Sequence, residues 1–222
     1  NTGETACITD NDGNLYQTVQ IGDQIWMKEN LKVGYGTKIT ESSQWPTSTG
    51  DAATVYAAYD FDESFVDTYG YLYSWTAAMN ACPVGWHIPS HDDWHILFDS
   101  FGGYNGGQNA IGGKLKETGT AHWNSPNEGA TNESGFTALP GGQIYIEGSP
   151  AWMGTNAMFW TSSYVNPPTS GSYGVFLYHN KSDVFLENYN DKIHGFSVRC
   201  LKGSDDCAGV EDGSAYIDNC GD

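Results

Sequence analysis

The sequence predicts an α+β fold, and three observations carry that prediction. Two helical patterns lie close together between Tyr71 and Phe101, in YLYSWTAAMNACPVGWHIPSHDDWHILFDSF. Most of the other patterned stretches are short alternating segments rich in aromatic residues, as a twisted antiparallel sheet requires. Glycine-rich turns punctuate them. With 222 residues, 39% hydrophobic and 14% aromatic, the chain can bury a real core despite its charge.

Residues 10–27, DNDGNLYQTVQIGDQIWM, alternate around Asp12-Gly13 and Gly22-Asp23 and read as a β-hairpin. DNDGN also opens like an EF-hand loop, but Ile21 stands where the twelfth-position glutamate belongs, so a plain turn is expected. Residues 31–67 lack a clear period and read as an irregular connection with one helical turn; Asp60, Asp62 and Glu63 there could bind a cation, but a solvated acidic loop is the expectation.

Leu72, Trp75, Ala78 and Met79 recur at helical spacing, and Cys82-Pro83 ends that helix by removing a donor. Ser90 and Asp93 form a capping box for the second helix, which sets Trp94, Leu97, Phe98 and Phe101 on one face and stops at Gly102-Gly103. His87, His91 and His95 fall here, but without the glutamate of an HExxH pair they read as surface or capping residues. Residues 110–116 fit one short helix.

The segment 123–135, WNSPNEGATNESG, is a loop rich in side-chain oxygens, and Trp123, Asn124, Asn127, Glu128, Asn132 and Glu133 are its candidate ligand residues. The strands FTALPGGQIYIEG, AMFWTSSY, YGVFLYHN, SDVFLENY and HGFSVRCLKG follow. The expected organisation is an N-terminal extension (1–9), a folded domain (10–202) and an acidic, cysteine-bearing tail (203–222).

Nine Lys and Arg against 27 Asp and Glu leave a net charge of −18, a field that repels nucleic acid and anionic membranes. No apolar run approaches the roughly 20 residues that cross a bilayer. The start, NTGETACITD, has no basic or apolar leader region, so any signal peptide is expected to have been removed already. Asn132 and Asn180 begin Asn-x-Ser glycosylation acceptors. Asp205, Asp206, Glu211, Asp212 and Asp218 crowd the tail; they are the candidate metal ligands, for calcium, and an exposed acidic linker is the equal alternative. No other cofactor is expected.

Cys7, Cys82, Cys200, Cys207 and Cys220 form no CxxC or Cys/His cluster, and their wide spacing suits disulfides in an oxidising compartment. Five is odd, so at least one thiol is free or bonded to another molecule. Cys207 and Cys220 are spaced to close a 14-residue loop, worth about 3 kcal/mol in the loop-entropy view. No catalytic set emerges: Ser162, Ser163 and the six histidines lack a nucleophile-elbow context, so the chain is not expected to be an enzyme.

Six separated segments carry a family resemblance. GNLYQTVQIGDQIWMKENLKV, YLYSWTAAMNACPVGWHIPSHDDWHIL, GGKLKE, TNESGFTALPGG, FWTSS and GFSVRC, in order over residues 13–202, resemble the Fibrobacter succinogenes major paralogous domain. That family is similar to the C-type lectin-like fold and, within it, to formylglycine-generating enzymes. The resemblance implies two helices flanking twisted antiparallel sheets with long irregular loops, and a disulfide from Cys82 to Cys200. Calcium-dependent lectins carry Glu-Pro-Asn or Gln-Pro-Asp and Trp-Asn-Asp triplets; here the nearest are Ser125-Pro126-Asn127 and Trp123-Asn124-Ser125. Formylglycine-generating enzymes use two closely spaced thiols, whereas Cys200 has no near neighbour in the core sequence.

Two functions follow as expectations. The first is a secreted or cell-surface structural and adhesive protein that self-associates, or binds other surface proteins, head-to-tail. In that reading Ala215, Tyr216 and Ile217 add to a neighbour's sheet edge and Cys7 cross-links to Cys207 or Cys220. The alternative is a carbohydrate-binding module, with Trp45, Trp123 and Trp152 as the loop aromatics available to stack on sugars.

Overall fold

The segment Gly195 to Cys200 stitches the molecule together. In the computed structural model, which describes residues 7–47, 53–104, 110–164, 171–189 and 191–203, Gly195 bridges Ile144, Phe196 bridges Tyr73 and Ser197 bridges Phe159. The carbonyls of Val198 and Cys200 accept from the amides of Leu31 and Met27. One extended segment thereby ties the N-terminal sheet to the strands on either side of it.

In chain order the strands are β1 (Cys7–Thr9), β2 (Leu15–Ile21), β3 (Gln24–Met27), β4 (Thr37–Lys38), β5 (Val55–Ala57), β6 (Leu72–Tyr73), β7 (Trp86–His87), β8 (Gln143–Ile144), β9 (Pro150–Ala151), β10 (Asn156–Tyr164), β11 (Ser172–Tyr178), β12 (Val184–Tyr189) and β13 (Leu201–Lys202). The helices are α1 (Val66–Tyr69), α2 (Trp75–Ala78), α3 (His91–Asp99) and α4 (Ile111–Leu115). The sheets run β1-β2-β3-β13-β7, β10-β11-β12, β4-β5-β6 and β8-β9. The fold is mixed α+β, mostly antiparallel sheet with few helices; among the named strand pairs only β4 and β5 run parallel.

Trp26, Trp94, Phe136 and Phe159 pack at the centre of one apolar cluster, with ring centroids 4.8 Å apart for Trp26 and Trp94 and 5.8 Å for Trp94 and Phe159. α3 supplies Trp94, Leu97 and Phe98 to it. Its capping box is present: Ser90 Oγ accepts from the Asp93 amide, and Asp93 accepts from the Ser90 amide.

Three expectations need correction. The hairpin expected within residues 10–27 is present as β2 and β3, turning at Gly22-Asp23, but Cys7–Thr9 adds a strand before it by pairing with Leu15–Gln17 across the Asp10–Asn14 turn. Asp10 fixes that turn by accepting from the amides of Asp12 and Asn14 and from the Tyr16 hydroxyl. The sheet therefore begins inside the segment read as an extension. The first helix is shorter than its periodicity predicts: Leu72 belongs to β6, paired with Ala57, and the helix starts after Ser74, whose hydroxyl caps Ala77. Finally, the stretch 31–67 holds β4, β5 and several helical turns.

Candidate functional site

Two cationic side chains of the family-like segments, Arg199 and Lys116, are buried and bond mainly to backbone carbonyls. Arg199 is 1% exposed. Its guanidinium donates to Asn30 Oδ1 and to the carbonyls of Met27, Phe136 and Thr137, and it stacks 4.4 Å over the Phe136 ring. Lys116 Nζ donates to the carbonyls of Glu128, Tyr178 and Lys181 at 2.8–3.0 Å. Burial pulls its pKa down to about 8, against the opposing pull of Glu128. Gly112 and Gly113 pass so near Asp183 and Gly129 that a Cβ on either would collide with a carbonyl. These groups hold loops in place.

Lys116 also pins the segment 123–135 to the body of the domain. The loop is drawn onto the β11–β12 turn through the Glu128 carbonyl, the Glu128 amide donates to the His179 carbonyl at 2.7 Å, and the His179 ring meets the Ser125 carbonyl at 2.9 Å. Trp123 is buried and donates from Nε1 to the Ala138 carbonyl, so it cannot stack on a sugar. Trp45 is buried likewise and donates to the Ile193 carbonyl. Asn127 donates to the carbonyls of Glu117 and Gly119. Asn132 donates from Nδ2 to the Thr137 hydroxyl and accepts at Oδ1 from the Thr137 amide. Asn124, Glu128 and Glu133 are exposed, and Glu133 lies 3.8 Å from Lys114. Asn180 is exposed.

The third loop tryptophan is different. Trp152 is 49% exposed and lines a groove of about 400 Å3 with Gln143, Tyr145, Asn156, Tyr178 and Glu187. The β8-β9 hairpin sets Gln143 opposite Ala151, one residue before Trp152. β10 and β11 set Asn156 opposite Tyr178. Trp152 Nε1 donates to the Tyr145 hydroxyl at 2.8 Å, joining two aromatic side chains along one wall. Gln143 is 1% exposed, and its Oε1 has no hydrogen-bond partner among the described residues. Of these, only Trp152 is a candidate from the sequence alone.

Cys82 and Cys200 are joined by a disulfide, while Cys7 is exposed and unbonded among the described residues, on β1, an edge strand of the five-stranded sheet. Cys207, Cys220, Ala215, Tyr216 and Ile217, with Asp205, Asp206, Glu211, Asp212 and Asp218, lie outside the described residues. The rings of His91 and His95 lie 4.6 Å apart, yet no group of three His, Cys, Asp or Glu among the described residues could hold a metal ion. Asp62 caps Ser64, and Glu63 pairs with Lys38 at 2.8 Å. No helix among the described residues is long and apolar enough to cross a membrane.

The family model of the Fibrobacter succinogenes major domain matches residues 19–202. The chain belongs to this family. No curated protein and no solved structure matches it. The family span runs from the middle of β2 to the end of β13, so it contains the stitch, the Arg199 cluster and the groove. Cys7 and the acidic tail lie beyond it.

Proposed function

We propose that this family member is a non-catalytic extracellular surface domain of C-type lectin-like type, which assembles through its terminal segments into a structural or adhesive fibre. Cys7 carries the reading. It is an exposed thiol on an edge strand, and the other two cysteines among the described residues are joined to each other. A structural disulfide suits an oxidising compartment, where an exposed thiol tends to find a partner. An edge strand offers unpaired backbone groups to an incoming strand. The tail, with Cys207, Cys220 and the short apolar run Ala215-Tyr216-Ile217, supplies both a thiol partner and a strand candidate from a second copy. The partners are copies of the chain or other surface proteins.

The test is negative-stain electron microscopy and sedimentation of the full chain against Cys7→Ser. Fibres or a ladder of multimers that shorten in the variant support assembly. Single particles for both proteins at every concentration contradict it.

One further observation favours a second reading, carbohydrate recognition by the same domain: the half-exposed Trp152 on the wall of a polar groove.

A further inference from the structure

We infer that the groove between the β8-β9 hairpin and the β10-β11 strands binds a neutral pyranose unit of a glycan without a metal ion, with Trp152 as the stacking surface and Gln143 as the buried acceptor. This rests on the carbohydrate reading and names its site and ligand class. The volume of about 400 Å3 fits a small-molecule site, for which roughly 300–1,000 Å3 is usual. An aromatic wall joined to convergent polar groups suits a sugar, which presents an apolar C–H face and a rim of hydroxyls.

Two details point to a ligand. Trp152 has φ +70°, a backbone conformation unfavourable for a bulky side chain, and its carbonyl is held by the Thr155 and Asn156 amides and the Thr155 hydroxyl at 2.9–3.0 Å. Gln143 lines the groove and its Oε1 is buried with no donor among the described residues, a costly state that a rotation of the amide toward a sugar hydroxyl would relieve. Charge narrows the class. Among the described residues the groove is lined by Glu187 and by no Lys or Arg, on a chain of net charge −18, which disfavours uronates and sulfated sugars.

The experiment is titration calorimetry of the full chain with cellohexaose, xylohexaose, laminarihexaose and chitohexaose, with and without EDTA, and with polygalacturonate as the anionic control. Trp152→Gly suits the positive φ, so it should keep or raise the melting temperature while weakening binding at least tenfold. Gln143→Leu should weaken binding about tenfold. EDTA should change nothing. Lack of binding by all four neutral probes, equal binding by Trp152→Gly, or loss of binding in EDTA would overturn the inference. Assembly should be the same in Trp152→Gly, so failure of the groove and failure of the fibre are separate results.

Discussion

Arg199 Nε donates to Asn30 Oδ1 at 3.0 Å, joining the stitch segment to the chain just after β3. Asn30 in turn donates to the Tyr69 carbonyl and to Ser197. Replacing Arg199 by Leu leaves several buried acceptors unsatisfied at once, so a loss of about 3–5 kcal/mol is expected in urea unfolding. Arg199→Lys should recover little, because one ammonium cannot reach the same acceptors as the planar fork.

Lys116 is the pin for two loops. Lys116→Met keeps the length of the stem but leaves the carbonyls of Glu128, Tyr178 and Lys181 without this donor. A loss of about 2–4 kcal/mol is expected. Hydrogen exchange should show faster opening at residues 123–130 and 178–182 than in the α3 region. Uniform change across the domain would contradict the pin.

Asp93 makes stability depend on acid. Burial pushes its carboxyl up, but hydrogen bonds from His87 and Ser90 outweigh this and hold the pKa below the ordinary value of 3.8. A folded-state pKa lower than the unfolded one gives stabilisation that is complete above about pH 4 and is lost as pH falls through the folded value. Asp93→Asn should cost about 1 kcal/mol at neutral pH. The gap to wild type should close under acid, as read by thermal melts over a pH series.

How much of this was legible depends on how local each signal is. α3 was legible because Ser90, Asp93, Trp94, Leu97 and Phe98 encode both its cap and its buried face within nine residues. α2 was over-extended because both residues of β6, Leu72 and Tyr73, are buried, so the strand shows no alternation and Leu72 falls into helical register with Trp75. Trp123 reads as exposed because its neighbours are polar; its burial is set by Ala138 and by Lys116 drawing the loop inward. The groove was illegible because Gln143 and Tyr178 lie on different strand pairs and meet only after the hairpin folds onto β10 and β11. Trp152 alone gives a local sign, a tryptophan in a loop between two strand patterns.

Assembly through Cys7 is tested most directly by non-reducing electrophoresis of the full chain with mass-spectrometric mapping of the cysteine peptides. The expected result is a reducible ladder in which the Cys7 peptide is joined to a tail peptide bearing Cys207 or Cys220, and which Cys7→Ser abolishes. A single monomeric band with one free thiol at Cys7 would contradict covalent assembly.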